Sequence, residues 1–571
     1  MDYELPSEFD LIVVGTGMIE SIVAAAASRI GKRVLHIDSN NYYGGLWASF
    51  NLDSISNILN SASNIETNLE VKQFLTENEK IYQFGNDAFH MHTHSQIWHI
   101  PEKANEQTET EQSDLPTECI QKEEESWTQE KLLKNSRKFN IDIAPKLHFA
   151  RGDFVELLIS SNIARYSEFR SVSRVLTWLN GQLEVVPCSR SDVFSSTKVS
   201  VIEKRMLMKL LTSCVDGDEK EFVGYENKTF RTYLKDRKLT DNLIHYVLYA
   251  IAMATDTTPC LEGVENTKRF LSSLGRFGKT PFLYSMYGSG EITQAFCRLS
   301  AVFGGVYALS QPLNGLIFNN ENKFKSLLCG QQRISAEHLV MGIEKLPKEF
   351  VNFTATQFIS RAVFVIDRSI MASEKENLTL LLFPPEDGKN PCTMIEVGPL
   401  TGTCPKDTYI VHMFTKQTTN PEEDFKHCVE RLFGNSKNES ETGEKENLLP
   451  NVLWSFYYTV PNTVNLDLKN GIPKNIFVCP GPDLDLDYDP AIAQAKAIFN
   501  EIYPDLEFLP RAPDPEEIII EGEDNNNIVT EGENLTDQPI DEATEAVADL
   551  QIETSNDHGE GSSGIEQGEA E

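Results

Sequence analysis

The stretch LIVVGTGMIESIVAAAASRIGKRVLHID, Leu11 to Asp38, decides the fold. An apolar run, Leu11 to Val14, turns at Gly15 and Gly17 into an Ala-rich helical stretch, Ile19 to Ile30, and Arg33 to Asp38 returns as a second strand. Strand, glycine turn, crossover helix and strand form a β-α-β unit, which predicts an α/β fold with a doubly wound, FAD/NAD(P)-binding-like parallel sheet. A dinucleotide fingerprint wants a third glycine where the helix packs on the strand. Here that position is Glu20, which adds bulk and negative charge beside a would-be pyrophosphate. Gly15, Gly17, Glu20 and Asp38 therefore read as a vestigial nucleotide turn, with Asp38 either the residue that would hold a ribose hydroxyl or a simple strand cap. No flavin or other cofactor is expected.

Outward from this unit, Pro101 to Lys131 carries ten acidic and three basic residues with little periodicity, the composition of a disordered insert (about 100–131). Residues 198–280 are strongly helical. Met206, Leu207, Leu210 and Leu211 make one stripe, and Leu243, Tyr246, Val247, Ala250 and Ile251 another. Strand-like text resumes after Pro281, so the expected layout is a discontinuous sheet domain, 1–197 with 281–510, interrupted by a helical subdomain at 198–280. A last helix, Ala491 to Ile502, precedes an acidic tail, 511–571, expected to be unfolded.

Of 571 residues, 51 are basic and 86 acidic, a formal charge of −35. Asp514 to Glu571 alone holds 19 acidic residues and no Lys or Arg, more than half of that net charge. Such a balance disfavours nucleic acid as a partner, because phosphate binding needs clustered cations. The ten cysteines include no CxxC pair and read as reduced thiols. The acidic N-terminus lacks secretory-signal features and the C-terminus lacks a prenylation box, so the expected location is the cytosol.

Two lesser patterns carry little. GRFGKT, Gly275 to Thr280, has two residues where a phosphate loop has four, and reads as a helix-ending turn. His90, His92 and His94 alternate as on a strand; a polar patch is favoured over a metal site, and no metal is expected. The chain shows no nucleophile elbow, no HExxH and no prenyltransferase metal triad, so no catalytic residue is assigned.

VLHIDSNNYYGG, Val34 to Gly45, and RFGKTPFLYSMYGSGEITQAFCRLSAVFGG, Arg276 to Gly305, closely resemble the two signature regions shared by Rab GDP-dissociation inhibitors and Rab escort proteins. The resemblance implies a flavoenzyme-related fold without flavin and a Rab-binding platform at Tyr43, Glu291, Gln294 and Arg298. The residues fit independently: Glu291, Gln294 and Arg298 share one helix face, opposite an apolar stripe of Ile292, Phe296, Leu299 and Phe303. The resemblance also makes Met206, Leu210, Leu211, Val247 and Ile251 candidates for a lipid groove, although such stripes are most often plain helix core.

The acidic insert, the long tail and Phe270 with Phe282 look more like the escort branch, in which an exposed phenylalanine would anchor the transferase; Phe270, on the helix leading to Gly275, is the candidate anchor, with core packing the equal alternative. What this implies is a non-catalytic, substrate-presenting subunit. It would bind GDP-loaded unprenylated Rab GTPases, present them to the geranylgeranyltransferase alpha/beta heterodimer and escort the prenylated Rab to membranes. The alternatives are a GDP-dissociation inhibitor that only recycles prenylated Rabs and, less favoured, a flavin-dependent oxidoreductase on the same scaffold.

Overall fold

The computed structural model describes residues 4–58, 71–84, 89–103, 127–188, 192, 200–216, 219–351, 357–373, 375–386, 388–433, 449–464 and 466–511. The described residues all lie within one unit of the chain, Met1–Ala512. The acidic tail from 512 onward and residues 104–126 of the acidic insert lie outside the described residues.

The β-α-β unit forms as its periodicity demands. Strands Glu8–Val14 and Val34–Ile37 pair in parallel around helix Met18–Arg29. They are the heart of an eight-stranded sheet that runs Val306–Ala308, Val34–Ile37, Glu8–Val14, Gln332–Gly342, Phe324–Cys329, Leu313–Phe318 and Lys80–Tyr82, with Ile476–Cys479 also paired to Gln332–Gly342. Helix Met18–Arg29 is buried almost all round because it packs against the sheet on one side and against helices Gly290–Val302 and Asp489–Ile502 on the other. Its run Ala24 to Ala27 permits that approach, and Ser28 and Ser300 hydroxyls meet at 2.9 Å where two helices touch.

A second eight-stranded sheet runs Gln182–Val185, Arg174–Leu179, Thr379–Phe383, Cys392–Val397, Tyr409–Lys416, Phe358–Ile366, Val452–Pro461 and His92–Trp98. Every pairing in it is antiparallel except that between Arg174–Leu179 and Thr379–Phe383. Its hairpin turns at Asn180 and Gly181, both at positive φ (54° and 80°), as a two-residue turn requires.

The helices of 198–280 include Val201–Asp216, Phe230–Asp236, Asp241–His245, a π-helical turn Tyr246–Ile251 and Cys260–Ser272. Their apolar faces do not close on themselves. Leu210, Tyr233, Val247 and Phe270 share one core with Val363, Leu380, Phe414 and Trp454 of the second sheet. His245 adds a polar tie, its Nε2 lying 2.9 Å from Thr177 Oγ1.

Candidate partner-binding site

Helix Gly290–Val302 owes its position to a buried carboxylate. Asp142 accepts from Ser289 N at 2.8 Å, from Ser49 Oγ at 2.5 Å and from Tyr284 Oη at 3.1 Å. Gly290 must be glycine, since a Cβ there would sit 2.7 Å from Ser49 N. Ile292, Phe296 and Leu299 face the core, whereas Gln294 and Arg298 are exposed and Glu291 is half-buried. Gln294 Nε2 donates to Glu291 Oε1 at 3.4 Å, and the Arg298 guanidinium lies 5.7 Å from the centre of the Tyr166 ring. Burial pushes the Glu291 carboxyl above its ordinary range, and the positive charge of Arg298 opposes that shift.

Tyr43 stands beside this helix on a turn made by Gly44 and Gly45, both at positive φ (96° and 52°). Its ring is partly buried, 5.5 Å from that of Tyr307. Tyr307 Oη donates to Cys297 Sγ at 2.6 Å, which links the turn to the helix. Tyr42 instead packs edge-on against Phe50 at the margin of the core. The structure thus brings Tyr43 next to the helix that carries Glu291, Gln294 and Arg298. Sequence reasoning missed Asp142, Ser49 and Tyr307, and no local pattern marks them.

The glycine turn is filled from within. A Cβ on Gly17 would lie 2.5 Å from Glu20 Oε2, and one on Gly15 would lie 3.6 Å from Glu20 Oε1. Glu20 is 3% exposed. Burial and then the neighbouring Glu344 carboxylate push its pKa well above the ordinary carboxyl range. A pyrophosphate does not fit these residues, because the glycine cradle already holds a carboxyl group of the chain. Asp38 acts as a cap: it accepts from Asn40 N and Thr16 Oγ1, each at 2.9 Å, and lies 3.4 Å from Lys345 Nζ.

The expected transferase anchors are not at the surface. Phe282 lies in a strand between His148–Phe149 and Phe169–Ser171, and Phe270 packs edge-on against it at 5.8 Å, both rings fully buried. The exposed ring of this corner is Phe277, 51% accessible, in the turn that follows the helix. Sequence reading missed it by treating the segment as a turn alone. Leu210, Val247 and Ile251 are buried core, with Met206 and Leu211 packed at its edge, so these side chains form a closed interior rather than an open groove. His92 and His94 are exposed on an edge strand, and among the described residues no cluster of His, Cys, Asp or Glu is placed to hold a metal ion.

Fold and turn together define a class: a two-sheet FAD/NAD(P)-binding-like scaffold whose nucleotide turn holds a carboxyl of its own and whose surface helix displays a polar face. The chain belongs to the GDP dissociation inhibitor family, whose model matches residues 4–73 and 95–441. It is similar to the mouse protein named Rab proteins geranylgeranyltransferase component A 2, 33% identical over 92% of this chain and 100% of that one. The human component A 1 is 34% identical over 91% of this chain and 94% of its own length, and the Drosophila melanogaster component A 36% identical over 91% and 93%. Among solved structures, Rab GDI from Plasmodium falciparum shares the fold, with a TM-score of 0.59 at 18% identity over 88% of this chain and 99% of that one.

Proposed function

We propose that this chain is an accessory component of Rab geranylgeranyl transfer that presents GDP-loaded, unprenylated Rab GTPases to the catalytic alpha/beta heterodimer and then escorts the lipidated product through the cytosol to membranes. The observation that carries this reading is similarity along nearly the whole of both chains to proteins named component A of the Rab geranylgeranyltransferase. The polar face of helix Gly290–Val302, with Tyr43 beside it, supplies the contact surface for the Rab. Arg298 is its anchor, because a guanidinium makes bidentate contacts.

The chain's own part is binding and presentation, without chemistry at a side chain. A geranylgeranyl chain exposes apolar carbon worth about 0.8 kcal/mol per methylene in water, so the escort must bury it until delivery. Val247 and Ile251 are packed closed against the second sheet, so binding the lipid between these helices would require them to part. The exposed Phe277 ring is the surface feature at that corner suited to anchor the transferase.

The test mixes the protein with unprenylated GDP-Rab, the heterodimer and labelled geranylgeranyl diphosphate. Incorporation that depends strictly on the protein supports the escort reading. No incorporation, together with extraction of prenylated Rab from membranes, would leave a recycling inhibitor instead.

A further inference from the structure

The filled nucleotide turn lies directly under the turn that carries Tyr43. A Cβ on Gly342 would lie 2.5 Å from Glu20 Oε1 and 2.6 Å from Glu344 Oε2, so two carboxyl groups from distant segments share one small space. Glu344 Oε1 also lies 3.5 Å from the corresponding point on Gly45. Glu20 Oε2 is buried without a hydrogen-bond partner. A second set of contacts reaches the same loop. Thr16 Oγ1 donates to Asp38 Oδ2 and accepts from Gly44 N, each at 2.9 Å, while Lys345 Nζ donates to Ser39 Oγ at 3.0 Å.

We propose that the former nucleotide pocket has become the positioning device of the partner-binding turn, with Glu344 and Glu20 as a carboxyl pair that supports Gly45 from below and the Asp38–Thr16–Gly44 hydrogen bonds that fix the turn's height. Glu344 and Glu20 are positioning residues, acting on the Rab through Tyr43, and this inference rests on the platform reading above.

Two carboxylates in one buried space repel each other, so a single shared charge is the stable state. Burial raises both groups above the ordinary range. The groups facing the pair are Asp38 and Lys345 at the loop, Cys479 from the neighbouring strand, Cys297 from the surface helix and Tyr42 from the turn itself. Lys345 is the cation among them, and Asp38 already occupies it. As pH rises through the pair's raised range, the second ionisation pushes the carboxyls apart, and the displacement reaches Gly45.

The test measures the affinity of GDP-loaded, unprenylated Rab for the full chain, its Glu344→Gln and Glu344→Ala variants and Arg298→Ala, at neutral and alkaline pH, with deuterium uptake followed over the loop residues. The expected results are a loss of roughly five- to tenfold for Glu344→Ala from lost preorganisation, wild-type affinity for Glu344→Gln at neutral pH, and an alkaline decline in the wild type that Glu344→Gln lacks. Faster exchange over the Tyr43 loop in Glu344→Ala supports the same conclusion without a partner present. If Arg298→Ala weakens binding but the glutamate variants match the wild type at both pH values, with unchanged exchange over the loop, the positioning device is overturned and the platform stands. If Arg298→Ala binds normally, the platform itself fails. Should Glu344→Ala not fold, the pH comparison of wild type with Glu344→Gln decides alone.

Discussion

Thr16 Oγ1 donates to the Asp38 carboxylate at 2.9 Å, at the place where a dinucleotide enzyme would keep its ribose. Both residues are buried, Thr16 at 1% and Asp38 at 0% exposure. Thr16→Val keeps the shape and removes the hydroxyl, leaving the charged acceptor and the Gly44 amide each short of a partner. The expected cost is about 2 kcal/mol of unfolding free energy, read as a lower urea midpoint at an unchanged slope. An unaltered midpoint would mean that the loop satisfies these groups otherwise.

Arg298 is exposed and touches its own chain mainly through the Tyr166 ring. Arg298→Ala is therefore expected to leave thermal stability within about 0.5 kcal/mol of the wild type. It is expected to weaken Rab binding by about 2 kcal/mol, roughly 30-fold in Kd, as a central interface arginine does. Titration calorimetry with GDP-loaded Rab checks the affinity, and a thermal or urea unfolding transition of the variant alone checks the fold.

Phe270 and Phe277 separate packing from recognition. Phe270→Ala empties a fully buried site against Phe282 and is expected to cost about 3–5 kcal/mol of stability. Phe277→Ala removes a ring that is half in solvent, with little loss of stability. Co-sedimentation with the transferase heterodimer is expected to fall for Phe277→Ala; a normal complex would return the anchor to another surface.

The sequence made the first β-α-β unit legible because its order is local: the apolar run, the glycines and the alanines of Leu11 to Asp38 need only their neighbours to be read. Glu20 was legible as an obstacle to a cofactor for the same reason. Its partner was not, since Glu344 lies more than three hundred residues further on and meets it only when Gln332–Gly342 pairs beside Glu8–Val14. The second sheet escaped notice likewise: His92–Trp98 pairs with Val452–Pro461, a registry no short window contains. Exposure at Phe270 and Phe282 depends on the strand Phe282–Ser285 being sandwiched, so the resemblance that offered them as anchors could not tell an exposed ring from a core one, and core packing, the alternative reading, is what the fold makes of both. The polar face of Glu291, Gln294 and Arg298 was legible because one helix contains it.

Arg269, on the last helix of the helical region, reaches Asp487 and Asp489 at the start of the final helix, while Asp489 also caps helix Asp153–Ser160 through the Asp153 and Phe154 amides at 3.1 and 2.9 Å. Burial and then the Asp489 charge push the Asp487 carboxyl up to about 7, against the pull of Arg269. A carboxyl raised in the folded state binds its proton more tightly there than in the unfolded chain. Its contribution to stability is therefore greatest in acid and is lost as pH rises through about 7. Arg269→Gln removes the cation that favours the ionised Asp487 carboxylate, so its destabilisation is expected to be larger at alkaline pH, where Asp487 is ionised, than in mild acid, where it is protonated. Melting temperatures of wild type and variant across that range check the sign, and a gap that widens towards acid would exclude this account of the cluster.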